Sequence, residues 1–171
     1  MAKAETEAGR TTMEVVDEYF EALRRRDLDA AAACWRPGAV DRLYGMAELR
    51  APEDIRSWFG NLFAAFPDFE MVVAEKVSEG DRAVVRWTAA GTFTGDARFE
   101  GMTANGASIE LEGLDLLTVS DGLIVANQAY TNGMELARQL GALPAAGSAQ
   151  EKAMLGAFNL RTAIASRLRR R

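Results

Sequence analysis

Apolar residues recur at helical spacing in the first third of the chain and at alternate positions through most of the rest. Thr11-x-x-Glu14 forms a capping box, after which Val16, Tyr19, Phe20 and Leu23 share one helical face. Arg24, Arg25 and Arg26 end that helix, placing cations at the negative end of its dipole. Asp27 caps a second, short helix from Leu28 to about Trp35, stopped by Arg36-Pro37-Gly38, and a short strand over about 39–44 follows. A third helix opens at Pro52 with Glu53 and Asp54 in its first turn, presents Ile55, Trp58, Phe59, Leu62, Phe63 and Phe66, and ends at Pro67.

From Phe69 the period changes to two. Phe69, Met71 and Val73 lead to a turn at Glu79-Gly80-Asp81, and Ala83, Val85, Trp87 and Ala89 return as a long strand. Residues 95–107 read as a loop with a turn at Asn105-Gly106; strands over 108–119 and 123–131 flank the tight turn Ser120-Asp121-Gly122. Three helices followed by hairpin-linked strands predict an α+β layout, an antiparallel sheet with helices on one face. A further helix spans 134–140 and closes at Gly141. A short linker reaches Ser148-x-x-Glu151, a second capping box that opens a helix to about Arg169, with Leu155, Phe158 and Leu168 as its apolar positions. That helix is too short to be a domain and is expected to pack on the body or on a partner subunit.

Composition narrows the chemistry. A chain of 171 residues with net charge −5 fits one globular domain and argues against general nucleic-acid binding. The one basic cluster, Arg167-Leu168-Arg169-Arg170-Arg171, reads as a solvated helix end, with a membrane or nucleic-acid contact as the other reading. No apolar stretch is long enough for a membrane span, and the first residues carry no secretory signal, so no membrane association and a cytoplasmic location are expected. Cys34 is the only cysteine, so no internal disulfide forms, and its alanine-rich helical setting suits a buried, inert thiol. Histidine is absent, which removes His-based triads and most zinc sites. Acid–base chemistry is left to carboxylates, Tyr, Lys or backbone groups, and no metal or cofactor is expected.

Alternation in 108–119 puts Asp115 on the same face as Ile109, Leu111, Gly113, Leu117 and Val119. A carboxyl among apolar neighbours tends toward a raised pKa and a donor role; the other reading is a structural pair with a Tyr or Trp. Gly113 beside it leaves room for a ligand or a bend. Tyr19 lies on an apolar helix face with its hydroxyl at the far end. Asn127 and Thr131 share an alternate face of the last strand and could orient a ligand's oxygens or be structural. Trp35, Trp58, Phe63, Trp87, Phe93 and Met102 supply apolar surface, as core or as walls of a pocket for a flat hydrophobic molecule. Asp41 reads as an exposed acid or a partner of Arg42.

Several phrases resemble the SnoaL-like polyketide cyclases of the NTF2-like superfamily. They are Asp27-Leu28-Asp29, Phe66-Pro67-Asp68-Phe69, Gly91-Thr92-Phe93-Thr94-Gly95, Gly113-Leu114-Asp115, Ser120-Asp121-Gly122-Leu123-Ile124 and Arg138-Gln139-Leu140-Gly141. The resemblance implies an NTF2-like cone, a curved antiparallel sheet packed against three N-terminal helices, and often a homodimer. It divides the chain into a disordered N-terminus over 1–10, the SnoaL-like domain over 11–144 and a C-terminal helical extension over 145–171. The family's two acids on the last strand are neutral here, Ala129 and Asn132, and Phe93 stands at a frequent His position.

Two further phrases are similar to ketosteroid isomerases: Tyr19 ahead of Asp27-Leu28-Asp29, and Leu114-Asp115-Leu116. That likeness implies Asp115 and Tyr19 as donors to an enolate oxygen. Asp41 is the nearest carboxylate to the family's base, displaced by a residue or two. The implied function is cofactor-independent cyclisation or isomerisation of a polyketide-, steroid- or terpenoid-like apolar ligand by enolate chemistry. The alternatives are a non-catalytic small-ligand binding protein of the same fold, or an assembly scaffold using the open sheet face.

Overall fold

The computed structural model describes residues 9–169. The expected disordered N-terminus thus falls, for residues 1–8, outside the described residues, as do Arg170 and Arg171 of the basic tail. Arg10 is tied down: its guanidinium donates to the Gly122 carbonyl at 2.6 Å and pairs with Glu18.

The first helix, α1 (Thr12–Arg24), starts at the expected capping box, with Thr11 and Glu14 bonding each other's backbone. Its buried face is Val15, Val16, Tyr19, Phe20, Ala22 and Leu23. A short α2 (Leu28–Ala33), capped by Asp27, gives way sooner than its sequence suggests. Trp35 leaves the helix and begins strand β1 (Trp35–Leu43), which a turn joins to β2 (Ala47–Arg50), a strand the apolar pattern did not mark. Four residues are too few to display a period. Helix α3 (Glu53–Ala65) lays Ile55, Phe59 and Leu62 on the core.

Strands β3 (Glu70–Glu79), β4 (Arg82–Thr92), β5 (Ser108–Ser120) and β6 (Leu123–Thr131) complete a six-stranded sheet in the order β2-β1-β6-β5-β4-β3. Pairing is antiparallel throughout except between β1 and β6, which run parallel because the chain crosses the helical layer before re-entering the sheet. Irregular registers at 35–40 on β1, 73–75 on β3 and 118–119 on β5 bend the strands and curve the sheet around α1 and α3.

The loop between β4 and β5 buries Phe93 and Phe99 against Phe66, with ring centroids 5.0 and 5.3 Å away. It approaches α3 so closely that a Cβ on Gly95 would sit 1.7 Å from the Ala64 carbonyl oxygen. Helix α4 (Gly133–Gln139), capped by Asn132, packs back over the start of β5, where Gln139 exchanges hydrogen bonds with the Glu110 backbone. Helix α5 (Ala149–Leu168), capped by Ser148, has no buried residue. Neither it nor any other described helix is long and apolar enough to cross a membrane.

Candidate functional site

The concave face of the sheet, α1 and α3 enclose a cavity of about 690 Å³ of empty space, counting its open mouth. Its walls are mostly aliphatic and aromatic, and among the described residues its only acidic or basic side chains are Asp41 and Asp115.

Asp115 is presented by β5, whose alternation turns Ile109, Gly113, Asp115 and Leu117 inward. Gly113 faces Trp87 across the β4–β5 pair, and a Cβ there would lie 2.1 Å from the indole Cζ2. The missing side chain lets the indole cross position 113 and donate from Nε1 to Asp115 Oδ1 at 2.9 Å. Asp115 Oδ2 accepts from the Asn127 side-chain amide, also at 2.9 Å. The same amide nitrogen donates to Asp41 Oδ1 at 3.0 Å, because β1 and β6 set residues 41 and 127 side by side. One carboxamide therefore links two carboxyl groups and spends both of its N–H bonds on them. Asp41 Oδ2 and Asn127 Oδ1 are buried with no hydrogen-bond partner among the described residues.

These contacts divide the two acids. Burial pushes the Asp41 carboxyl up to about 8, the nearby Asp115 adds to the rise, and the Asn127 amide opposes it. Burial also raises Asp115, but Trp87 and Asn127 both stabilise its charge, and it reaches only about 6. Both carboxyls are thus held above the ordinary carboxylate range, and Asp41, with the larger rise and the fewer N–H donors, is the one favoured to keep a proton. Tyr19 is buried on α1, and its phenol is held well above its ordinary range by burial first and then by Asp41 and Asp115. It stays protonated and can only donate or accept as a neutral hydroxyl.

Of the side chains singled out in the sequence, Tyr19, Asp41, Trp58, Trp87, Asp115 and Thr131 line this one cavity. Asp41 neither lies at the surface nor pairs with Arg42, which meets Glu48 at 3.0 Å on the other face of the sheet. The remaining five stand elsewhere. Trp35 packs edge-on behind Tyr19 at 5.6 Å, and Phe93 stacks on Phe66 inside the core. Phe63 borders a separate surface groove, under the Arg26 guanidinium at 5.0 Å. Met102 bridges to Phe99 within the loop, and Asn127 sits behind the two carboxyl groups rather than on the wall.

Sequence reasoning missed Met46, Phe99 and Leu136 as wall residues. Met46 and Phe99 come from a turn and an irregular loop, where no period exists to read. Leu136 could have been found as an apolar position of the helix over 134–140. Cys34 is buried with its thiol pushed up to about 11, chiefly by burial, so it is no nucleophile at neutral pH. No cluster of metal-binding side chains occurs among the described residues.

Asn127→Leu should expose how the pair is held. It removes a donor from each carboxyl, and a buried acceptor left without its donor costs about 1–3 kcal/mol. Both carboxyl titrations are expected to move to higher pH, read from the protonated-carboxyl stretch in infrared difference spectra. Titrations unchanged from wild type would rule out Asn127 as the link.

The SnoaL-like polyketide cyclase family profile matches residues 13–140. Among solved structures, AclR of Streptomyces galilaeus, described as a candidate hydroxylase, is 26% identical, with a TM-score of 0.66 over 78% of this chain and 97% of its own. IdmH of Streptomyces antibioticus, described as a candidate polyketide cyclase, is 27% identical, with a TM-score of 0.60 over 77% of this chain and 99% of its own. A Catenulispora acidiphila protein with a ketosteroid isomerase-like fold, solved with trimethylamine, shares the fold at 17% identity, a TM-score of 0.63 and coverages of 77% and 95%. No curated protein matches the chain.

Proposed function

We propose that this chain, which belongs to the SnoaL-like polyketide cyclase family, catalyses enolate chemistry on an uncharged, apolar polyketide-, steroid- or terpenoid-like ligand without a cofactor. The observation that carries this reading is the Asp41–Asn127–Asp115 bridge at the wall of an otherwise apolar cavity. The absence of Arg and Lys among the lining residues leaves an anionic ligand without a counter-charge there.

In this reading the number of N–H donors around each carboxyl sets the roles. The Asp115 carboxylate removes a proton from the carbon beside a carbonyl. The C–H electron pair moves into the carbonyl and leaves an enolate oxygen. Protonated Asp41 and the Tyr19 phenol donate hydrogen bonds to that oxygen. For isomerisation, Asp115 returns the proton to a different carbon. For an aldol-type cyclisation, the enolate carbon forms a bond to a second carbonyl carbon, whose oxygen takes the proton. These roles exchange those implied by the ketosteroid isomerase likeness, because Asp115 has two N–H donors and Asp41 has one.

The two neutral positions on the last strand fit the same reading. Ala129 is the cross-strand partner of Asp115 and lies beside Asp41's strand, so both acids come from neighbouring strands. Asn132 is spent on capping α4. The same reading takes the protein as a cytoplasmic homodimer, since the convex sheet face exposes the stacked pair Tyr44 and Tyr130 to a second copy.

Proton–deuterium exchange at the α-carbons of 2-tetralone in D2O, followed by NMR, measures enolisation directly. The wild-type protein is expected to accelerate exchange saturably, and Asp115→Asn to lower the rate at least 100-fold while the ketone still binds. Saturable binding without exchange would replace this reading with a non-catalytic binding protein of the same fold. No binding of any flat ketone would remove both.

A further inference from the structure

Helix α5 has a composition that the body of the protein does not use. It lies beyond residues 13–140 of the family match, and none of its 20 residues is buried. Its large apolar side chains stand in water, with Phe158 and Leu160 64% and 63% exposed. Leu160, Ile164 and Leu168 fall on one stripe at spacings of four, and Met154, Phe158 and Leu155 carry the apolar surface further round the helix. A lone helix of this length gains little stability from its own backbone, and an apolar stripe on it needs a partner surface. Its own body is not that surface. Glu151 in its first turn is held by Arg138 at 2.9 Å and by the Gly147 N–H at 2.6 Å, and from there the helix runs on unburied.

Charge selects the partner. Residues 149–171 carry six basic residues and one acidic, whereas the preceding 148 carry 14 basic and 24 acidic. Two α5 helices packed together would bring like charges into contact. On the convex side of the sheet, β3 offers Val72 and Val77 and β5 offers Leu114 as exposed apolar side chains. Glu70, Glu75, Glu79, Glu110 and Glu112 stand on that same side against Arg82 and Arg86, the latter already taken by Glu75 and Glu112, so the face is net acidic. The dimensions agree: a 20-residue helix is about 30 Å long and about 10 Å wide. The three strands, of 10, 11 and 13 residues, run about 33–43 Å and span about 10 Å from axis to axis. Strand β3 is also an edge of the sheet and exposed along most of its length, and a covering helix is a common way to protect such an edge.

We infer that α5 is an exchanged arm, which lies across the convex β3–β5 face of a second copy of this chain and receives that copy's α5 on its own. The inference goes beyond the proposed activity and does not depend on it. The Tyr44–Tyr130 half of the same face is left to the remaining contact between the bodies.

Sedimentation equilibrium on the full chain tests it, together with disulfide trapping between two differently labelled proteins, one Leu160→Cys and the other Leu114→Cys. The expected result is a dimer whose dissociation constant rises at least tenfold in Phe158→Ser/Leu160→Ser/Ile164→Ser. It should rise likewise in Glu70→Lys/Glu110→Lys, and the mixed-label disulfide should dominate the cross-linked species. Because all five positions are exposed, circular dichroism of each variant should match that of the body fold. A monomeric full chain overturns the proposal, as does a dimer unaffected by the α5 substitutions. Cross-links found only between like positions also overturn it. So does α5-dependent binding to vesicles of 4:1 phosphatidylcholine and phosphatidylserine that leaves assembly unchanged.

Discussion

Asp41→Asn is expected to make the protein more heat-stable at pH 8 while slowing the enolisation proposed for it. The Asp41 carboxyl titrates at about 8 in the folded chain, against about 3.9 when unfolded. The native state therefore binds this proton more tightly than the unfolded state does. The group's contribution to stability is whole below pH about 4 and is lost as pH rises toward 8, at about 1.4 kcal/mol per pH unit between those values. By pH 7 the loss relative to a neutral side chain is on the order of 4 kcal/mol.

Asparagine stays neutral at every pH and can still accept the Asn127 amide through Oδ1, so it removes that loss without reshaping the site. For a chain of this size the gain corresponds to roughly 10 °C in Tm. Asp115, at about 6, adds its own loss between pH 4 and 6. The wild-type protein should accordingly fall in Tm steeply over pH 4–6 and more gently over pH 6–8, and the variant should show about half of the first fall and none of the second. Melting curves by circular dichroism from pH 4.5 to 9 measure this. Equal pH dependence in the two proteins would show that Asp41 is not held neutral by burial. The same substitution deletes the O–H that serves the enolate oxygen, so stability and activity should move in opposite directions.

Gly113→Ala carries the largest expected loss of stability. Its methyl group would lie 2.1, 2.4 and 2.5 Å from Cζ2, Cη2 and Cε2 of Trp87, far inside contact distance. The indole cannot give way cheaply, since its Nε1 is bonded to Asp115 and its strand is paired on both sides. Overpacking costs about 1–3 kcal/mol, and loss of a hydrogen bond to a charged group about 1.5–3 kcal/mol, so a total of about 3–5 kcal/mol is expected in urea unfolding. With one donor gone, the Asp115 titration should also shift upward. A double-mutant cycle separates the clash from any backbone effect. In a Trp87→Leu background the Gly113→Ala penalty should fall to about 1 kcal/mol or less, a coupling of at least 2 kcal/mol. Additive penalties would mean that the indole is not what glycine accommodates.

Much of the fold was legible locally. The capping box at Thr11 marks a helix start in sequence and in structure alike, and at Ser148 the cap holds while Glu151 reaches back to the Gly147 N–H instead of the Ser148 N–H. The alternation over 108–119 named the inward face of β5, Asp115 included, because the side-chain period of a strand is read without knowing its neighbours. The same rule was silent on Asp41. In the strand over 39–44 both alternating sets mix polar and apolar residues, Ala39, Asp41 and Leu43 on one side and Val40, Arg42 and Tyr44 on the other. Gly113 was marked as leaving space, but that the space belongs to an indole from the next strand depends on the β4–β5 register. The aromatic positions divided similarly. Trp58 and Trp87 reach the cavity, while Phe93 and Trp35 face the core, and helical or strand spacing cannot tell one buried direction from another.

By itself the sequence determined most of the helices and strands, though not β2 or the end of α2, which faces are apolar, and that any acid–base chemistry must do without histidine. These follow from local periods, caps and composition. Only the tertiary structure decided that residues 41, 115 and 127 meet. The contact between 41 and 127 spans 86 positions and requires a parallel pairing of β1 with β6 across the helical layer. Sharing one amide between two buried acids then sets which of them keeps the proton. That asymmetry comes from counting N–H donors around each carboxyl, a property of strand register and desolvation that no local pattern encodes.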